Sequence, residues 1–248
     1  MSRRRTALAT TQLALTPVFT ALVAVATMIF TISIPATTGY FNLGEVIIYV
    51  TAILFGPYVG GIAGGVGAAI SDILLAPVFW PGTLITKGFE GAIVGFLSRR
   101  AIKAGSKLKW KMFTLALGCI TGILLMIIGT LYYSGDVQLY FGIPPPASPT
   151  VTFSIPAGFW VSLGAVIIAL VAYVGFKLEP KFGWLVLAIF LGGLEMVAGY
   201  FLYEQFLLGK AAVLEVPVNI GQMLIGLILS VLVVKAVWRA LPTLRQAQ

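Results

Sequence analysis

Eight predominantly apolar runs, most of them close to the roughly 20 residues an α-helix needs to cross a bilayer, follow one another along this chain. They lie near Leu13–Ile34, Leu43–Val59, Gly60–Val78, Thr83–Ser98, Met112–Tyr133, Ala157–Phe176, Trp184–Leu208 and Val213–Trp238. Hydrocarbon offers no water to backbone N–H and C=O groups, so each run must satisfy them within its own helix. The pattern predicts an all-α fold, a polytopic transmembrane helical bundle forming a single integral membrane domain over residues 1–248. Composition agrees: 59% of residues are apolar and 10% charged, where a soluble domain carries roughly 25% charged. A soluble enzyme is excluded. The second to fourth runs are short and interrupted by Gly and Pro. Arg3, Arg4 and Arg5 resemble the charged start of a signal peptide, but the run behind them is long enough to span and shows no clear small-residue cleavage site. It is read as a retained first helix.

The formal charge of +8 is first a topology signal, because Lys and Arg gather in cytoplasmic loops. With a cytoplasmic amino terminus, all but two of the 16 basic residues fall inside, including Arg99, Arg100, Lys103, Lys107, Lys109 and Lys111 in one loop. Lys87 lies in a span and Lys210 in an outer loop. The expectation is a multi-pass plasma-membrane protein with both termini cytoplasmic, the lipid bilayer around it and no nucleic-acid partner. Binding of anionic lipid or nucleic acid by the Arg99–Lys111 run is the rival reading. The outer loop Ser134–Pro156 holds Pro144, Pro145, Pro146, Pro149 and Pro156 and is expected as an extended cap, since proline cannot continue a helix. No internal repeat is evident.

The chain has no His and a single cysteine, Cys119, which removes imidazole acid–base chemistry and any intrachain disulfide. No catalytic residue, metal site or cofactor is expected. A phosphate-binding loop is absent too: at Gly209-Lys210 the first glycine's place is taken by Glu204, and Ala follows the Lys. This chain does not hydrolyse ATP.

Of eight acidic residues, Glu45, Asp72, Glu90, Glu195, Glu204 and Glu215 fall within or at the edges of apolar spans. An ionisable group at membrane depth costs at least a few kcal/mol, so each must face the bundle interior, a partner or a wet cavity. Most polar groups map to the outer half. Asn42 and Glu45 open the second run, and Lys87 and Glu90, at i and i+3, are expected in the first turns of the fourth. Glu215, Asn219 and Gln222 follow at i, i+4 and i+7 and line one face of the eighth helix. Asp72 lies past the middle of the third, with Phe79 and Trp80 in the turn beyond it, and Tyr200 stands near Glu204 on the seventh. Aromatic faces beside a few convergent polar groups suit a flat, heteroaromatic small molecule. Bland alternatives stay open. Trp80, Tyr40 and Tyr200 also fit an interfacial aromatic belt, and Lys87–Glu90 a structural ion pair. Glu195 and the eighth-helix stripe fit interhelical hydrogen bonding, and Glu204 a place at headgroup level.

Small residues recur every fourth position at Gly60, Gly64 and Ala68, at Gly61, Gly65 and Ala69, and at Thr16, Thr20 and Ala24. Such stripes let helix backbones approach closely, either within the bundle or against a separate membrane subunit.

Several segments taken together resemble one family. They are Gly39-Tyr40-Phe41-Asn42-Leu43-Gly44-Glu45, Leu54-Phe55-Gly56-Pro57, Gly60-Gly61 through Ala68-Ala69-Ile70-Ser71-Asp72, Lys87-Gly88-Phe89-Glu90-Gly91, Met196 to Phe201, and Glu215 to Asn219. The chain is similar to the substrate-binding S component of energy-coupling-factor transporters, in the riboflavin-type group that also holds hydroxymethylpyrimidine and pyridoxine carriers. The resemblance covers residues 13–100 and 184–238. It implies a six-helix core plus two extra helices, with the pair at about 112–176 inserted. It also implies capture of a vitamin or vitamin precursor at the outer side, under a gating loop at Pro35–Gly44. Release would follow docking to a transmembrane coupling subunit and two ATPase subunits. The family's docking pattern, Ala-x-x-x-Ala, is replaced here by Thr20 and Ala24, with Gly60 and Gly64 as further candidates for the coupling interface.

The expected binding chamber therefore comprises Asn42, Glu45, Asp72, Trp80, Lys87, Glu90, Tyr200, Glu215, Asn219 and Gln222. The alternative function is a stand-alone proton-coupled secondary transporter of a small heteroaromatic solute, motivated by the excess of intramembrane carboxylates over Lys87.

Overall fold

Gly56 sits at φ +92°, where an L side chain is strained, and Pro57 follows it as the first residue of a helix. That pair ends helix α2 early and starts α3. The computed structural model describes residues 3–34, 37–100, 107–132, 134–139, 148, 151–178 and 180–242. Along it run α1 (Arg3–Ile29), β1 (Ile32–Ile34), β2 (Gly39–Phe41), α2 (Gly44–Phe55), α3 (Pro57–Leu75) and α4 (Trp80–Ser98). Then come α5 (Lys107–Tyr132), β3 (Gly135–Leu139), β4 (Val151–Ile155), α6 (Ala157–Lys177), α7 (Pro180–Leu208), a 3-10 turn (Gly209–Leu214) and α8 (Glu215–Ala240). The all-α bundle expected from the sequence is present.

Among the described residues, five stretches are long and apolar enough to cross a membrane: Thr10–Ile29, Pro57–Leu75, Lys107–Tyr132, Ala157–Lys177 and Phe182–Ala240, the last taking in both α7 and α8. The second apolar run, expected to reach Val59, yields only the 12 residues of α2. Helix α4 begins at Trp80 rather than Thr83, so Lys87 and Glu90 lie in its middle instead of its first turns.

The described residues divide into two compact units, one up to Arg100 together with those from Ala188 onward, the other between them up to Leu187. In the first, α1 packs on α3: Gly67 lies against the Thr20 carbonyl and Val23, and the Ser71 hydroxyl donates to the Ala24 carbonyl at 3.0 Å. The stripes on α3 are spent within the bundle. Gly61 and Gly65 face the carbonyls of Gly88 and Leu84 on α4. Gly60 and Gly64 are buried against Ala52 and Ile48 of α2 and the Gly91 and Lys87 carbonyls of α4. The structure thus places Gly60 and Gly64 inside the bundle rather than on a face open to a coupling subunit, because α2 and α4 already use the close approach they permit. Thr20 is half-buried and Ala24 buried.

The loop expected over Pro35–Gly44 is framed by an antiparallel hairpin that pairs Ile32 with Phe41 and Ile34 with Gly39; Pro35 itself lies outside the described residues. In the second unit, the stretch expected as an extended cap contains a second hairpin, Gly135 opposite Ile155 and Leu139 opposite Val151. Pro144, Pro145, Pro146 and Pro149 lie outside the described residues. Helices α5 and α6 meet through glycines: Gly122 abuts the Gly164 carbonyl, Gly164 the Gly122 carbonyl, and Gly129 the Trp160 ring.

Candidate functional site

The first unit carries a polar interior in two layers. The deeper one is centred on Lys87, 2% exposed in the middle of α4. Its ammonium bonds Glu45 from the first turn of α2 and lies 3.2 Å from Glu90 Oε2, one turn further along α4. Glu90 Oε1 accepts the Tyr49 hydroxyl at 2.6 Å, and Glu45 Oε1 accepts Gln222 Nε2 of α8 at 3.1 Å. Glycines make room for this. A Cβ on Gly226 of α8 would lie 2.6 Å from Glu45 Cβ and 2.9 Å from Tyr49 Cε2. The layer holds two carboxylates for one ammonium.

Above it lies a cavity of about 40 Å³. Hairpin residues Gly39 and Tyr40, with Asn42 after them, line it, as do Asp72 of α3 and Phe79 at the start of α4. Tyr200 and Glu204 of α7 and Glu215, Asn219 and Gln222 of α8 complete the wall. Asn42 prepares the entry to α2: its Oδ1 accepts the Gly44 N–H at 2.8 Å, while its own N–H donates to Gln222 Oε1 at 3.0 Å. Asp72 receives two hydroxyls, Tyr40 on Oδ1 and Thr83 on Oδ2, and Tyr200 donates to Thr83 Oγ1 at 3.0 Å. Burial and the adjacent Asp72 carboxylate hold the Tyr40 phenol well above its usual range, so it stays a donor.

Three contacts pin the hairpin to the helices: Tyr40 to Asp72, Thr37 to Glu215 and the Asn42 N–H to Gln222. Next to them Thr38 has φ 61°, a left-handed conformation that costs a β-branched residue roughly 1–3 kcal/mol. Pockets for small organic ligands enclose roughly 300–1,000 Å³. At about 40 Å³ the cavity is smaller than that range.

Of the expected chamber, Asn42, Asp72, Tyr200, Glu215, Asn219 and Gln222 meet around the cavity. Glu45, Lys87 and Glu90 form the layer beneath it. Trp80 belongs to neither: as the first residue of α4 it is 40% exposed, and Phe79, 5% exposed, takes the place beside the cavity. Tyr40 and Glu204, each with a bland reading available from sequence, line the wall. Thr37, Tyr49 and Thr83 lie outside the expected chamber yet bond its carboxylates. Spacing offered a signal for two of them, since Tyr49 follows Glu45 at i+4 and Thr83 precedes Lys87 by four. Glu195 is half-buried outside the cavity wall.

Apolar side chains such as Leu22, Ile85, Phe89, Leu202 and Leu232 are exposed on the helices while charged and amide groups are buried. That inversion defines a multi-pass membrane protein. The chain matches the family model of the ECF-type riboflavin transporter, S component, over residues 7–178, and it belongs to that family of transporter subunits. The match runs through α5 and α6, expected as an inserted pair, and ends before α7 and α8, which supply half of the cavity wall. A protein of Pyrococcus woesei, described as an uncharacterized protein in gap 3' region, is 43% identical over 118 residues, covering 48% of this chain and 73% of that protein. No solved structure matches the chain.

Proposed function

We propose that this chain is the substrate-capturing subunit of an energy-coupling-factor importer and binds a vitamin or vitamin precursor of the riboflavin, hydroxymethylpyrimidine or pyridoxine class. The carrying observation is the cavity under the β1–β2 hairpin, which joins aromatic faces to convergent carboxylates and amides and is closed by three breakable contacts. Ligand enters as the hairpin lifts, and the hairpin then closes over it. The chain carries no phosphate-binding loop, so the energy for release comes from a transmembrane coupling subunit and two ATPase subunits. Thr20 on α1, half-buried, remains a proposed contact for that coupling subunit, whereas Ala24 is buried and its carbonyl is bonded by Ser71 of α3.

The test is to purify the protein from cells grown in rich medium and identify the co-purifying molecule by mass spectrometry. A vitamin-class compound is expected, with its affinity reduced roughly tenfold or more in N219A. Absence of any such compound, or unchanged affinity in N219A, overturns the assignment. The excess of buried carboxylates over Lys87 favours a second reading, a stand-alone proton-coupled carrier. Uptake into liposomes holding only this chain under a proton gradient would establish it in place of the first.

A further inference from the structure

Three carboxylates, Asp72, Glu204 and Glu215, share one small cavity, and among the described residues no basic one lines it. Among the described residues, the hydrogen bonds to Asp72 and Glu215 come from the neutral hydroxyls of Tyr40, Thr83 and Thr37. Glu204 is 3% exposed, and its Oε2 has no hydrogen-bond partner among the described residues. The nearby cation, Lys87, is ion-paired with Glu45 and Glu90 in the layer beneath; its field reaches Asp72, but it forms no ion pair with Glu204 or Glu215 among the described residues. A buried carboxylate without a counter-charge is unfavourable, and it either takes up a proton or draws in a cation. The wall itself offers no positive charge and surrounds the gap with the aromatic rings of Tyr40, Phe79 and Tyr200.

We infer that the cavity selects a cationic heteroaromatic ligand, one whose ring carries a fixed or protonated positive charge and N–H donors at its edge, with Glu204 as its counter-ion. This rests on the capture reading above and narrows it. A cation over an aromatic face is attracted by the ring quadrupole, more strongly once desolvated. The same wall repels phosphorylated or otherwise anionic compounds, and gives a neutral flavin ring no charge to pair with Glu204. Lys87 serves the layer below: its ammonium, 5.4 Å from the Tyr200 ring centroid, restrains the charge of Glu45 and Glu90 rather than greeting an anion.

The full-length protein in detergent is titrated calorimetrically with thiamine as the cationic aminopyrimidine probe, riboflavin as the neutral one and pyridoxal phosphate as the anionic one. Thiamine is expected to bind roughly tenfold or more tightly than riboflavin, pyridoxal phosphate not at all, and E204Q to narrow the thiamine-to-riboflavin ratio by a similar factor. The wild-type ranking stands even if E204Q fails to fold. Riboflavin or pyridoxal phosphate binding as tightly as thiamine, or an unchanged ratio in folded E204Q, overturns the charge assignment and leaves vitamin capture intact. Binding by none of the three counts against capture itself.

Discussion

Tyr40 on the β1–β2 hairpin donates its hydroxyl to Asp72 on α3, tying the element that covers the cavity to a helix that forms its wall. A hydrogen bond to a charged acceptor contributes roughly 1.5–3 kcal/mol. Y40F keeps the ring and removes the donor. Amide hydrogen exchange across residues 32–41 is therefore expected to quicken roughly tenfold or more, with exchange in α3 unchanged. T37A, which frees Glu215, is expected to act in the same direction. Equal exchange in wild type and Y40F would show that the hairpin is held by something other than this contact.

Lys87 is the one cation in the deeper layer, and its removal leaves Glu45 and Glu90 buried without a counter-charge, with only the Gln222 amide and the Tyr49 hydroxyl to bond them. Breaking a buried ion pair from one side costs about 3–5 kcal/mol. K87M is expected to lower the thermal unfolding midpoint in detergent substantially, and K87M with E45Q to recover part of the loss by removing one of the stranded charges. A double variant no more stable than the single one would mean that Lys87 acts through packing, not charge.

Gly226 and Gly158 make a matched pair of helical glycines in opposite surroundings. A Cβ at Gly226 meets Glu45 and Tyr49, whereas at Gly158 nothing lies within 4 Å. G226A is expected to destabilise by about 1–3 kcal/mol through overpacking. G158A is expected to be neutral or to stabilise by up to about 1 kcal/mol, as alanine favours helix. Thermal unfolding of the two variants checks both signs.

What was legible in the sequence follows the range of the physical signal. Apolar runs are local, so the bundle and most of its helices were readable, and the i, i+4, i+7 spacing of Glu215, Asn219 and Gln222 put those three on one face. Phe79 and Trp80 are both expected in the turn after α3, and no local pattern says which of two adjacent aromatic residues faces inward: Phe79 lines the cavity and Trp80, the first residue of α4, is exposed. Gly60 and Gly64 illustrate the other limit: a small-residue stripe announces close approach without saying which helix approaches, and here it is α2 and α4 of the same chain. The division of polar groups into a charged layer and a cavity above it depends on contacts between residues far apart in sequence, such as Gln222 with Glu45, and no local pattern encodes them.

The distribution of Lys and Arg predicts which face of the bundle meets the cytoplasm, and the cavity's access depends on it. Arg100 follows the end of α4, while Ser148 lies between β3 and β4 in a stretch without basic residues; both are exposed. In a C119S background, R100C and S148C can be probed on intact cells with a membrane-impermeant maleimide. S148C is expected to label at once and R100C only after permeabilisation, which would place the α4 end inside and the β3–β4 hairpin outside. The opposite pattern would put the arginines outside against the positive-inside bias, turn the hairpin-covered cavity toward the cytoplasm, and remove the basis for capture from the medium.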